Sequence, residues 1–166
     1  MNSDSEVFSL HINGVVREVT DSWLGESLLD VLRDRLGLLG VKGACEQGEC
    51  GSCSVMVGDS LLCSCLVMAA SAVGEPIVTI EGLTPEETLS DVQAVFVEAG
   101  AIQCGFCTPG LITAVHDLLD RIAIPTDSEI REELAGNVCR CTGYGRIIDA
   151  VQQVAVRRAD SSDGAL

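Results

Sequence analysis

The sequence predicts an α+β chain in two domains: a small mixed sheet crossed by one helix over residues 1–83, then a bundle of four helices over residues 84–166. Three observations carry this reading. Short runs of alternating apolar and polar residues fill the first half, the period-2 signature of half-buried strands. From Leu89 onward the apolar residues recur at helical spacing instead. Between the two patterns, Gly82–Glu87 holds Pro85 and acidic residues and fits neither.

Val7–Ile12 alternates, Asn13-Gly14 follows and Val15–Val19 resumes, which predicts a hairpin with a type I′ turn. Ser27 is placed to cap a short helix whose apolar set is Leu28, Leu29, Val31, Leu32 and Leu36, closed by Gly37. The stretch from Gly40 to Gly51 is too rich in glycine for regular structure. Ser54–Val57 and Ser60–Cys65, joined by Gly58-Asp59, predict a second hairpin, and Ile77–Ile80 one more short strand. In the second half, Leu89, Val92, Val95 and Phe96 mark a first helix. Thr108 reads as an N-cap with Pro109 at the first helical position. The stripe that follows, Leu111, Ile112, Val115, Leu118, Leu119 and Ile122, is read as core rather than as a cofactor surface. Pro125 breaks the chain. Thr126 and Glu129 then have capping-box spacing ahead of Ile130 and Leu134, and Gly136 ends that helix. A last helix is expected from about Arg146 to Val156, with Asp160–Leu166 as a frayed polar tail. Four helices with short links suggest a bundle.

Of the 166 residues, 25 are acidic and 10 basic, a net charge of −15 that divides as −8 and −7 between the halves. Phosphates would repel such a chain, so neither nucleic acid nor an anionic membrane surface is an expected partner. The hydrophobic share of 47% supports a packed core, although few aromatic residues are available to fill it. No segment is long and apolar enough to span a bilayer, so no membrane insertion is expected. The polar, acidic start Met1–Glu6 is unlike a secretory leader, and a cytoplasmic protein is expected. In that compartment thiols stay reduced, and nine cysteines cannot all pair within one chain. Metal or redox chemistry is therefore the leading reading.

The cysteine spacings sharpen it. Cys45, Cys50 and Cys53 are spaced C-x4-C-x2-C, with Cys63 and Cys65 further on. This is the plant-type 2Fe-2S spacing, which needs one more distant thiolate. Glycines at 40, 43, 48 and 51 let backbone N–H groups converge on an anionic cluster. On a strand, Cys63 and Cys65 would face the same side, so alternation does not choose between them. A second group joins Cys104 and Cys107 (C-x2-C) to Cys139 and Cys141 (C-x-C), at the start of one expected helix and the end of another. Four thiolates there complete a second 2Fe-2S site. The pairs Cys50/Cys53 and Cys104/Cys107 also have the form of zinc half-sites, but zinc would leave Cys45 and the C-x-C pair without a role.

With both groups in place, the chain resembles the small iron–sulfur subunit of the molybdenum hydroxylases, the family of xanthine dehydrogenase, aldehyde oxidoreductase and CO dehydrogenase. The matching segments are Gly43–Cys53, Ser64-Cys65-Leu66, Gln103–Gly110 and Gly136–Tyr144, within a likeness running from about Val7 to Val156. The resemblance implies an N-terminal plant-type ferredoxin-like β-grasp domain and a C-terminal four-helix bundle. It implies Cys65 as the fourth ligand of the first cluster and leaves Cys63 as the extra cysteine. It sets the cluster of Cys104, Cys107, Cys139 and Cys141 near the molybdopterin of a large subunit, with Gln103 and Cys141 contacting the pterin. The cluster of Cys45, Cys50, Cys53 and Cys65 would face a medium subunit that binds FAD.

Electrons would then run from the molybdenum cofactor through the bundle cluster and the ferredoxin-like cluster to FAD. The assembly would hydroxylate an N-heterocycle, purine or aldehyde-type substrate with water-derived oxygen. This chain itself would make no bonds. It shows no flavin motif and leaves no room for a molybdopterin domain, so the partners are expected as separate chains in a dimer of heterotrimers. The competing readings are a free-standing two-cluster ferredoxin-like carrier and a zinc-stabilised interaction module. His11 and His116 lie inside expected regular elements and are read as packing or surface residues. Gly143-Tyr144-Gly145 lacks the spacing of a dinucleotide fingerprint. Arg140, between two ligands, is read equally as a tuner of cluster potential and as the partner of an acid.

Overall fold

The computed structural model describes residues 6–84 and 88–163. The expected polar N-terminus up to Ser5, the proline of the expected join and the last three residues of the expected tail lie outside them. Strands β1 (Glu6–Ile12) and β2 (Val15–Ser22) form an antiparallel hairpin. Its turn residues Asn13 and Gly14 have φ of 52° and 78°, the paired positive values of a type I′ turn. Helix α1 (Leu28–Asp30) starts on Ser27, whose hydroxyl accepts the Asp30 N–H, and runs into a π-helical turn over Val31–Arg35. Gly37, at φ 70°, stops it in the left-handed conformation that glycine adopts without steric cost. Strands β3 (Ser54–Val57), β4 (Ser60–Cys63) and β5 (Pro76–Val78) complete a five-stranded sheet in the order β2-β1-β5-β3-β4. Only the β1–β5 pairing in that sheet is parallel. The buried face of the sheet, with Leu10, Ile12, Val55 and Ile77, packs on Leu28, Val31 and Leu32 of the helical turn.

Four helices build the second half: α2 (Asp91–Glu98), α3 (Thr108–Arg121), α4 (Asp127–Glu133) and α5 (Gly145–Asp163). They enclose a second core around Phe96, Leu111, Val115, Leu118, Ile130, Ile147 and Val151. Helix α3 is the central one, its expected stripe buried from Leu111 to Leu119 and Ile122 at its C-cap. Both α2 and α4 begin with complete capping boxes, Ser90 with Gln93 and Thr126 with Glu129. Among the described residues, no helix is long and apolar enough to cross a membrane.

Six local expectations change. The strand expected over Ile77–Ile80 is Pro76–Val78, and Ile80 opens a 3-10 segment that runs to Leu83. Leu89 is not on the first helix: Ser90 takes the cap, and Leu89 precedes it with 57% of its surface exposed. The N-cap of α3 is Cys107, not Thr108, so Pro109 sits one position deeper, where its missing N–H still breaks no helical bond. Strand β4 ends at Cys63, and Ser64–Leu66 turns into a 3-10 segment. The cause is Ser64, fully buried, whose N–H and hydroxyl both bond the Cys53 carbonyl and draw the chain inward. Helix α4 stops at Glu133, ahead of Gly136. Helix α5 continues to Asp163, through the start of the expected tail, where Arg157 pairs with Glu98 and Arg158 with Asp91 of α2.

His116 on α3 is half-buried, its Nε2 3.2 Å from the Ser90 hydroxyl. Burial first, and the Arg158 guanidinium second, hold its pKa below the ordinary 6.5, against the pull of Asp91 and Asp120. The unfolded chain therefore protonates first on acidification. The stability tied to neutral His116 is complete above pH 6.5 and is lost as pH falls through the lower folded value. Thermal melts of His116→Gln should show a shallower acid decline than the wild type over that window. An equal slope would remove His116 from the account. Phe96, with no exposed surface, is the largest fully buried side chain, and Phe96→Ala should cost ~3–5 kcal/mol in denaturant unfolding.

Candidate metal centres

The first centre is built on the loop between α1 and β3. Gly48 and Gly51 have φ of 76° and 65°. A Cβ on Gly48 would strike the Leu66 side chain, and one on Gly51 would strike the Gly136 carbonyl and the Asn137 side chain. Only glycine therefore lets the loop lie this close to its surroundings. The Gln47 N–H approaches the Cys45 sulfur at 3.4 Å. That bond first, then the Cys50 thiol and the amides of Glu49 and Cys50, bring the Cys45 pKa down to about 7. Cys53 is buried with its Sγ 3.4 Å from that of Cys65, too long for a disulfide. Burial, then the Cys53 thiol, push Cys65 up to about 12.

The structure brings Cys63 here as well. Its Sγ lies 3.7 Å from the Gly48 carbonyl, and burial together with Cys53, Cys50 and Cys45 pushes its pKa up to about 11. Five cysteines, not four, line this centre. The expected symmetry of Cys63 and Cys65 along one strand is absent, because Cys63 ends β4 and Cys65 lies on the 3-10 turn.

The second centre gathers two loops at helix ends. Cys104 and Cys141 are exposed, their sulfurs 3.6 Å apart. Cys107 and Cys139 form the inner pair, half-buried and buried. Burial, then Cys139, push Cys107 up to about 12. At Cys139 burial acts upward, but the Thr142 hydroxyl and N–H, the Cys107 thiol and the Cys141 N–H outweigh it and hold the pKa low. Gln103 is exposed beside Cys104, as is Phe106 at 44%. Gly143 and Tyr144 both have φ of 66°, which turns the loop so that the Tyr144 hydroxyl accepts the Cys139 N–H at 2.7 Å.

The donor set fits the 2Fe-2S group. Two thiolates on one tetrahedral metal, each ~2.3 Å from it, stand about 3.8 Å apart. The sulfur separations of 3.4 and 3.6 Å are close to that edge. Among the described residues, no three His, Cys, Asp or Glu side chains close around a single metal-ion position. Sulfurs that meet two by two suit a binuclear cluster in which each iron takes two thiolates. The two centres also touch. The Val138 N–H donates to the Cys50 carbonyl at 2.9 Å, and the Asn137 amide donates to the Gly51 carbonyl at 2.9 Å. Gly110 of α3 packs on Gly51 so closely that a Cβ there would strike the Gly51 carbonyl.

Comparison with known proteins agrees with this geometry. Residues 10–71 match the family model described as a 2Fe-2S iron-sulfur cluster binding domain, and residues 79–152 match a second described as a 2Fe-2S binding domain. The nicotinate dehydrogenase small FeS subunit of Eubacterium barkeri is 41% identical over 152 residues, covering 92% of this chain and 96% of that one. A chain of quinoline 2-oxidoreductase from Pseudomonas putida 86 superposes with a TM-score of 0.90 at 41% identity, over 96% of this chain and 98% of that one. The chain belongs to the small iron–sulfur subunits of the molybdenum hydroxylases. In aldehyde oxidoreductase from Desulfovibrio gigas the same fold, at TM-score 0.87 and 37% identity over 94% of this chain, is only 17% of a longer polypeptide. As a member of this family, the chain is a subunit of an oxidoreductase.

Within this small subunit, Gln103 and all nine cysteines fall at or beside one of the two centres, while His11 is exposed on β1 and His116 lies away on α3. Sequence reasoning missed the joining residues. Asn137 and Tyr144 stood inside a quoted motif, but nothing in their spacing says which backbone groups they bond. Ligand roles can be tested by substitution. Cys65→Ser should lose the first cluster and lower bound iron by about half, whereas Cys63→Ser should keep both cluster EPR signals. The reverse pattern would exchange the two roles.

Proposed function

We propose that this chain is the electron-transfer subunit of a molybdenum hydroxylase that oxidises an N-heterocycle, purine or aldehyde-type substrate with water-derived oxygen. Its halves are read as a ferredoxin-like β-grasp domain, residues 1–83, and a four-helix-bundle domain, residues 84–166. Cys45, Cys50, Cys53 and Cys65 would hold one 2Fe-2S cluster, and Cys104, Cys107, Cys139 and Cys141 the other. Each cluster, when bound, supplies one-electron redox chemistry, and two in line relay electrons from a molybdopterin centre to FAD.

The observation that carries this reading is the order of the sulfur pairs. Cys104 and Cys141 are exposed, Cys107 and Cys139 lie inside them, and the chain next to Cys139 is bonded to Cys50. The residues thus hold an outward-facing end, an inner end and a bonded contact to the first centre. Gln103 and Cys141, at the exposed end, are placed to meet the pterin of a large subunit. Phe106, 44% exposed between Cys104 and Cys107, offers apolar surface at the same end. The cluster of Cys45, Cys50, Cys53 and Cys65 would face a medium FAD-binding subunit, in a dimer of heterotrimers. Several relatives carry this region within longer chains, which supports large partners. Nine free thiols suit a reducing cytoplasm.

Anaerobic purification from the native host tests the assembly. Two larger chains should co-purify, one with molybdopterin and one with FAD, and the reduced complex should show two rhombic 2Fe-2S signals. A persistently monomeric chain with both signals would favour a free carrier, and stoichiometric zinc without them would refute both. Gln103→Ala should weaken docking or slow reduction by substrate with full iron retained. Loss of the second cluster in that variant would make Gln103 a structural residue.

A further inference from the structure

Asn137 is buried, with 4% of its surface exposed, and is not among the cysteine ligands. Its Nδ2 donates to the Gly51 carbonyl at 2.9 Å and to the Ser54 hydroxyl at 3.3 Å, so the side chain crosses from the helical half to the sheet half. Gly51 follows Cys50 in the first ligand loop, and Asn137 precedes Cys139 by two residues in the second. The Asn137 carbonyl accepts the Tyr144 hydroxyl at 3.0 Å, and that hydroxyl takes the Cys139 N–H. Beside these bonds, the Val138 N–H meets the Cys50 carbonyl at 2.9 Å.

Satisfying the Gly51 oxygen does not require Asn137. That carbonyl already accepts the Ser54 N–H at 3.1 Å and the Ser54 hydroxyl at 2.7 Å. What the third bond adds is a fixed position of one ligand loop against the other. A planar amide with two donors, locked by burial, is suited to this. The absent Cβ atoms of Gly51 and Gly110 bring the loops close, and Asn137 supplies the directional bond between them.

We propose that Asn137 is the positioning residue for electron transfer between the two clusters. It keeps the Cys50–Val138 contact at hydrogen-bond length, so that a continuous route runs through the Cys50 carbonyl, one hydrogen bond and the Val138–Cys139 peptide. The inference rests on the two-cluster reading above. Tunnelling falls exponentially with any gap in such a route, and magnetic coupling between two reduced clusters falls steeply with their separation. Loosening Asn137 therefore acts on the pair without removing a ligand from either centre.

The test uses the full chain, isolated anaerobically, fully reduced for the spin–spin measurement and oxidised before flash reduction for the transfer rate. Asn137→Ala should retain iron and both cluster signals. The spin–spin splitting between the clusters should shrink or vanish, and cluster-to-cluster transfer after flash reduction should slow several-fold. Wild-type splitting and rate in this variant would overturn the proposal. If Asn137→Ala loses iron, Asn137→Ser, which is polar but too short to span to Gly51, is read by the same two measurements with the same outcomes. A wild-type chain without two 2Fe-2S signals would instead overturn the two-cluster reading itself.

Discussion

Crowded sulfur is the constraint from which the rest of this structure follows. Each centre packs cysteines to within hydrogen-bonding distance of one another, and there burial and neighbouring thiols push Cys63, Cys65 and Cys107 well above the ordinary thiol range. A cluster needs those groups as thiolates, and the chain already carries a net charge of −15. The strongest influences on Cys45, Cys63, Cys65, Cys107, Cys139 and Cys141 are burial, neighbouring thiols, backbone amides and a threonine. The downward pull comes from backbone amides, a threonine hydroxyl and, at Cys45 and Cys139, a neighbouring thiol. Amides fixed in a loop are preorganised partial charges and add no net positive charge that would favour one oxidation state at long range.

That choice dictates the glycines. Amides converge on sulfur only where the chain can turn through positive φ, and Gly48, Gly51, Gly105 and Gly143 all do so around the cysteines. Gly51 has a second duty. Its missing side chain lets the Asn137 amide and the Gly136 carbonyl approach it from the other half of the molecule. Gly110 plays the same part on the opposite side, under the Gly51 carbonyl. The absent side chains thus let the two loops come close, and the Asn137 amide bonds across the junction.

The legible parts of the fold were those specified by local chemistry. Asn13-Gly14 can hardly be anything but a tight hairpin turn, and Ser27 and the Thr126–Glu129 box marked helix starts that the structure keeps. Where the deciding interaction was non-local, the sequence was silent. The period-2 pattern runs through Cys65, but a buried Ser64 bonded to Cys53, 11 positions earlier, ends the strand at Cys63. Helix α5 outlasts its apolar stripe because Arg157 and Arg158 find acids on α2, about 60 positions away. At the centres, cysteine spacing announced two groups. It set Cys63 and Cys65 alike beside the first group, but not that Cys63 would lie against the Gly48 carbonyl, which depends on how β4 meets that loop.

Charge and exposure together give the molecule a direction. Two of its ion pairs, Arg131 with Asp127 and Arg157 with Glu98, are exposed, and pairs of that kind contribute only ~0–1 kcal/mol each. They shape the surface more than they hold the fold. The fold is held by two separate apolar cores, each beneath its own cysteine loop, and the loops meet at Gly51, Asn137 and Val138. A strain that shifted one core against the other would therefore be felt first at that meeting point. Of the four cysteines of the second centre, the two facing outward are exposed, while the two facing inward are shielded by the bundle. Under the proposed function, a charge arriving at the exposed pair has one bonded way onward, through the loop that Asn137 ties to the sheet.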